Sequence, residues 1–226
     1  MGKQAGSSEN QQAEINQILI QRAQKGKIVV RLKGGDPLIF GRGGEEIMAI
    51  AEAGVTFEVV PGITAGLAVP AYAGIPVTHR DFASSVLFVT GHSANQSNID
   101  WGKVATSVDT IVVFMGGRSL PTVVEKLLMH GRSPSTPAAV IQAGTAAQQQ
   151  TIVGKLSDID QKAKDCQPPA ITVFGEVVEL RQYCRWFDQK PLFGRTILIT
   201  RPVSQTDQIT SLPVSYTHLR AHETEA

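Results

Sequence analysis

The sequence predicts a layered α/β fold. Short β-branched apolar runs alternate with stretches whose apolar residues recur at helical spacing, and glycine-dense turns mark several of the changeovers. Residues 27–46, KIVVRLKGGDPLIFGRGGEE, contain a run, a turn and the start of a helix in twenty positions. A strand over 28–32 enters a turn in which Gly34 and Gly35 allow φ values closed to other residues and Pro37 sets the exit. Asp36 then sits at the carboxyl end of the strand, the edge at which open α/β sheets bind small molecules. Its carboxylate can accept hydrogen bonds from hydroxyl or ammonium groups of a ligand. Glycine-rich turns between strand and helix also occur simply to reverse the chain, and residue type alone leaves both readings open.

The remaining elements follow in order. Ile15, Ile18, Leu19 and Ala23 lie on one helical face, which predicts a helix over 11–24 ahead of the first strand. Further strands are expected at 56–60, 86–90, 110–114, 138–141, 151–153 and 170–174. Helices are expected at 45–53, 64–73, 120–129, 157–164 and 177–187, with Ser119 as the cap of the third and Pro121 tolerated in its first turn.

Composition excludes several classes. With 226 residues and 42% hydrophobic content the chain can bury a real core, and 18% charged residues is ordinary for a globular enzyme domain. A formal net charge of +1 supplies no basic field for nucleic acid, and no interleaving of aromatic and basic residues replaces it. The weakly polar stretch 65–77 is too short to span a bilayer and is broken by prolines, so no membrane partner is expected. The N-terminus lacks a signal-peptide pattern. Cys166 and Cys184 form neither a disulfide framework nor a metal-ligand spacing; each reads as a buried small apolar residue, in keeping with a reducing, cytoplasmic setting. The glycines fail the dinucleotide fingerprint, since Gly41 and Gly43 would need a third glycine where Glu46 stands, and no GK[ST] follows.

The whole string decides more than its parts. RLKGGDP followed by FGRGGEE closely resembles the S-adenosylmethionine site of the tetrapyrrole methylase superfamily, and within it the uroporphyrinogen-III C-methyltransferases. PGITAG (61–66), AGIPVTHRD (73–81), VTGH (89–92), FMGG (114–117) and AGT (143–145) resemble that family's motifs in the same order, over roughly residues 2–188. The resemblance implies two α/β domains with cofactor and substrate in the cleft between them, divided near 115: an N-terminal methylase subdomain over 1–115 and a C-terminal one over 116–188. It places the cofactor contacts on Gly34, Gly35, Asp36, Ile39, Thr64, Ala65, Met115 and Gly144. The family's proposed proton donor, a lysine in a GKRAG-like stretch, falls on Lys3 in GKQAG.

The implied reaction is transfer of two methyl groups from S-adenosylmethionine to pyrrole carbons of uroporphyrinogen III, giving precorrin-2 for sirohaem or cobalamin. No metal is required. The nucleophile is a ring carbon of the substrate, so the protein has to hold it in line with the sulfonium methyl and manage one proton per transfer. A substrate with eight carboxylates calls for cationic forks and neutral donors. Arg42 and Arg80, in loops beside the motifs, read as substrate contacts, and Arg31 and Lys33 are further candidates. His79 and His92 read equally as donors to a carboxylate or as caps of their own turns. Glu45 and Glu46 complement the N-terminus of their helix.

The resemblance also implies that the family's opening strand, its GPGD-type loop and a segment with a catalytic aspartate precede the point at which this chain starts. Residues 189–210, a linker and PLFGRTILITRPVSQTDQ, resemble the opening of uroporphyrinogen-III synthase, which implies a bifunctional parent. Residues 211–226 have neither period nor continuation of that pattern and read as a non-native tail, so its His218 and His222, spaced i and i+4, are not taken as a metal pair. A homodimer is expected by family resemblance. Two alternatives stand beside the main reading: another cobalamin-pathway precorrin methylase, whose relatives match the THRD and TGH stretches less well, and an inactive fragment that keeps the fold.

Overall fold

The structure, a computed structural model, describes residues 9–91, 99–117 and 119–195. The chain divides into two compact units, Met1–Thr64 and Ala65–Ala226.

The first unit contains helix α1 (Glu9–Gln24) and helix α2 (Gly43–Glu52), which pack on each other. A buried carboxylate joins them. Glu46 of α2 accepts from Gln12 of α1 at 3.0 Å, from Lys33 at 2.7 Å and from Arg31 at 3.3 Å. Burial alone would raise the Glu46 carboxyl, but the Lys33 and Gln12 hydrogen bonds and the charges of Lys33 and Arg31 outweigh it and hold it below its ordinary value. Glu46 thus stands in the first turn of α2, as expected, and in addition it neutralises Arg31 and Lys33, two candidate substrate contacts. The Glu46→Gln variant should destabilise this unit by about 2–3 kcal/mol in urea denaturation at neutral pH, because it leaves both cations uncompensated while partial exposure screens them. Since the folded carboxyl is lowered, the stabilisation is present above the ordinary glutamate value and fades as pH falls through the lowered one. The variant's deficit should shrink in acid accordingly.

The strands expected at 28–32 and 56–60 are not formed. Neither segment joins a ladder among the described residues. A strand exists only through a neighbour that takes up its backbone groups, and apolar alternation cannot supply one. The consequence is exposed apolar surface: Ile28 is 97% exposed, Leu32 85% and Val60 82%.

The second unit is built on a five-stranded sheet of order β1-β2-β5-β3-β4, from β1 (Val86–Thr90), β2 (Thr110–Phe114), β3 (Pro137–Gln142), β4 (Gln150–Lys155) and β5 (Ala170–Phe174). β1 and β2 are parallel, and β5 runs antiparallel to both β2 and β3. The alternation of side chains sorts the core into two layers. Ile111, Val113, Ala138, Val140 and Phe174 face α4 (Trp101–Ser107), α5 (Leu120–Met129) and α6 (Ile159–Lys162). Val112, Phe114, Ala139, Ile141, Ile171 and Val173 face α3 (Ala65–Tyr72) and the 3-10 turn Glu176–Leu180. The mixed α/β class is as expected, and both faces of the sheet are covered.

Four local differences follow. Helix α4 was not expected; it is short, and Asp100 starts it by accepting from the Lys103 amide at 3.2 Å. The helix expected over 177–187 is a 3-10 turn followed by the single α turn α7 (Arg181–Cys184). Val177 and Val178 are buried in the tight turn, and Arg181 is drawn inward to the Ala73 carbonyl and the Asp188 carboxylate. Ser119 occupies the cap position of α5 but makes no side-chain cap bond. Of the cysteines, Cys166 is half-buried with its thiol pushed up by burial, whereas Cys184 is exposed and not the buried residue expected.

Candidate active site

In the first unit two motifs meet at Asp36. One carboxylate oxygen accepts from the Leu38 amide at 2.9 Å and the other from the Gly62 amide at 3.1 Å, so the GGDP turn is tied to PGIT. The Leu38 amide and then the Gly62 amide hold the Asp36 carboxyl below the usual carboxylate range. Gly35 has φ 75°, as a glycine turn requires; Gly34 does not, and space is open around it. Gly62 is in contact with Gly35: a Cβ there would lie 2.3 Å from the Gly35 carbonyl oxygen. The loop then passes through two residues of positive φ, Phe40 (53°) and Arg42 (57°), the second of which caps α2. Arg42 meets Glu45 in a two-pronged pair at 2.7 and 2.6 Å. Ile39 is partly exposed on that loop, and Thr64 is buried.

Removing the Asp36 acceptor in Asp36→Ala should lower the affinity for S-adenosylhomocysteine at least about tenfold by calorimetric titration, because two amides lose a charged partner and the motifs lose their tie. Its lowered carboxyl gives the pH dependence its sign: the tie is complete above the ordinary aspartate value and breaks only as pH falls through the lowered one. Wild-type affinity attributable to Asp36 should therefore stay flat down to the ordinary carboxylate range.

In the second unit three motifs meet at one edge of the sheet. Because β1, β2 and β3 run in one direction, their carboxyl ends share that edge with the start of β5. Thr90 pairs with Phe114, Phe114 with Ile171, and Ile171 with Ile141, so the residues that follow each strand lie side by side. Gly91, Met115 and Ala143 are those residues. A Cβ at Gly91 would meet the Met115 carbonyl oxygen at 2.8 Å. Met115 (φ 53°), Ala143 (φ 48°) and Thr145 (φ 70°) all adopt the left-handed region without being glycine. Such backbone persists where its surroundings over-determine it, and it clusters at functional edges. The Ala143 amide donates to the Pro169 carbonyl at 2.9 Å. Gly144 packs on α3, where a Cβ would lie 2.5 Å from a Val69 methyl. Ala65 opens that helix.

The family described as Tetrapyrrole (Corrin/Porphyrin) Methylases matches residues 1–160. The chain belongs to the tetrapyrrole methylases. Among named relatives of this methylase chain, a siroheme synthase of Pectobacterium atrosepticum is 50% identical over 190 residues, which are 84% of this chain and 40% of the relative. One from Klebsiella pneumoniae is 50% identical over 188 residues, 83% and 40% respectively. The chain thus spans 40% of the length of these relatives. Among solved structures, uroporphyrin-III-C-methyltransferase of Thermus thermophilus has a TM-score of 0.68 at 36% identity, covering 77% of this chain and 76% of that one. The same Thermus enzyme in complex with S-adenosylhomocysteine has a TM-score of 0.66 at 36% identity, over 75% of each chain.

The substrate candidates of this methylase are placed differently from one another. His79 closes its own turn: its Nδ1 accepts from the Asp81 amide at 3.2 Å, its backbone pairs with Ala83, and its ring packs on Phe82. Arg80, next to it, is exposed with no ion pair among the described residues. Lys3 and His92 lie outside the described residues, as do residues 196–226. Among the described residues no three His, Cys, Asp or Glu side chains form a group that could hold a metal, and no helix is long and apolar enough to cross a membrane.

Two residues escaped the sequence reading. Gly62 was passed over because the resemblance marks its neighbours Thr64 and Ala65, although a glycine one residue after Pro61 signals a close backbone approach. Gln149 is 96% buried with both ends of its amide engaged. Inside the polar run 148–150 nothing distinguishes it.

Proposed function

We propose that this chain carries an S-adenosylmethionine-dependent C-methyltransferase activity that converts uroporphyrinogen III to precorrin-2 by two methyl transfers. The observation that carries the reading is the grouping of five separate motifs into two places, the Asp36–Gly62 junction and the edge at Gly91, Met115 and Ala143, together with the Thermus relative crystallised with S-adenosylhomocysteine. The relatives' name, siroheme synthase, favours the sirohaem branch over the cobalamin branch.

The residues suit the cofactor. Each Asp36 oxygen accepts one amide and keeps acceptor capacity for a hydroxyl or ammonium group. Gly34, Gly35 and Ile39 would line the same turn, with Thr64 and Ala65 following Gly62, while Met115 and Gly144 offer backbone groups on strained loops. When bound, S-adenosylmethionine supplies an electrophilic methyl on its sulfonium sulfur. Everything else falls to positioning by this chain. Arg42, aligned by Glu45, and the exposed Arg80 would hold substrate carboxylates. The Nδ1 of His79 is engaged by its turn, so His79 would donate through Nε2. His92 would serve as a further donor, and Lys3 would move the proton at the substrate carbon.

Further parts of the reading are a homodimer, a cytoplasmic setting and a parent protein with a fused uroporphyrinogen-III synthase domain beginning near 189. The test is incubation of the chain with uroporphyrinogen III and methyl-labelled S-adenosylmethionine. The expected product is a doubly methylated tetrapyrrole; a folded chain that binds both ligands and transfers no label rejects the reading.

A further inference from the structure

We propose that Gln149 is a positioning residue for the cofactor loop 143–145, held in a shape complementary to the ligand before the ligand arrives. The inference rests on the reading that Gly144 contacts the cofactor.

The loop between β3 and β4 is costly to hold. Ala143 and Thr145 have φ values of 48° and 70°, which neither side chain favours. Gln149, 4% exposed, lies behind it. Its Oε1 accepts from the Thr145 amide at 2.8 Å and its Nε2 donates to the Tyr72 carbonyl at 3.2 Å. These partners are opposite in kind, so only a neutral amide of this length, in one orientation, satisfies both. Tyr72 is the last residue of α3, and Gly144 rests on Val69 one turn earlier. The loop is thereby fixed to α3 at two points, by packing at Gly144 and by hydrogen bonds through Gln149. Ala65 opens the same helix. Gln149 thus sets the spacing between two backbone contacts assigned to the cofactor without itself touching it. The turn bonds Ala146 to Ala143 at 3.2 Å and Gln149 to Ala146 at 3.0 Å do not constrain the Thr145 amide, which leaves that task to the Gln149 side chain.

The test is calorimetric titration of S-adenosylhomocysteine into wild type, Gln149→Met and the exposed control Gln148→Met, with thermal unfolding of each. Methionine matches the length and removes both hydrogen bonds. The inference predicts about tenfold weaker binding in Gln149→Met, wild-type binding in Gln148→Met, and a rise in KM for S-adenosylmethionine with kcat unchanged. Equal affinity in Gln149→Met and a binding-competent wild type overturns the inference alone. No binding by folded wild type overturns the cofactor reading and this inference with it. Hydrogen exchange in the wild type gives a measurement independent of any variant: the Thr145 amide should be protected before ligand is added, and free exchange there overturns the preset loop.

Discussion

Alanine at position 62 is expected to lower the affinity for S-adenosylhomocysteine by about ten- to a hundredfold, the effect of an overpacked contact costing about 1–3 kcal/mol at the site. The added Cβ would lie 2.3 Å from the Gly35 carbonyl oxygen and 2.9 Å from its carbon, and both are backbone atoms with no rotamer to yield. One loop must therefore move away from the other. That movement also pulls the Gly62 amide from the Asp36 carboxylate, now 3.1 Å away. Titration of the ligand into Gly62→Ala, with circular dichroism to confirm the fold, measures the effect. Gly44→Ala is the contrast: nothing lies within 4 Å of its Cβ direction, and affinity should stay near wild type.

Phe174→Ala should cost about 3–5 kcal/mol of stability in the second unit, measured by urea denaturation. Phe174 is fully buried at the end of β5, paired with Ile111 of β2 on one side and Ala138 of β3 on the other. Its ring belongs to the core layer that also contains Leu127 of α5 and Ile159 of α6. Collapse of the surroundings is limited because both neighbouring strands are held by their ladders. Against a total of about 5–15 kcal/mol for a domain, the loss leaves the unit marginal. The methylase edge, at the opposite end of the same strands, should lose ligand affinity only through the unfolded fraction.

Legibility in the sequence followed how local each decision was. Strands β1, β2 and β5 were readable because short runs dominated by β-branched and aromatic residues favour a pleated strand, and helix α5 because its apolar stripe and Pro121 agree. The segments 28–32 and 56–60 have the same local character and are not strands here, since a ladder depends on a partner far away in sequence. Helix α4 was hidden because seven residues give too little period to detect, and its start depends on Asp100 alone. At the candidate site, the glycine turn could be read, but not the bond of Asp36 to Gly62, which lies 26 residues away. Arg31 and Lys33 looked like substrate contacts because cations beside a motif attract that reading. Only the fold shows that Glu46 lies between them. The convergence of VTGH, FMGG and AGT follows from strand direction, which spacing along the chain does not encode.

Direct titration of S-adenosylhomocysteine into the chain tests the central claim most simply. Saturable binding at one site per chain, weakened by Asp36→Ala and by Gly62→Ala while both variants stay folded, is the predicted result. A folded wild-type chain that releases no binding heat and shows no ligand-dependent rise in unfolding temperature would contradict it.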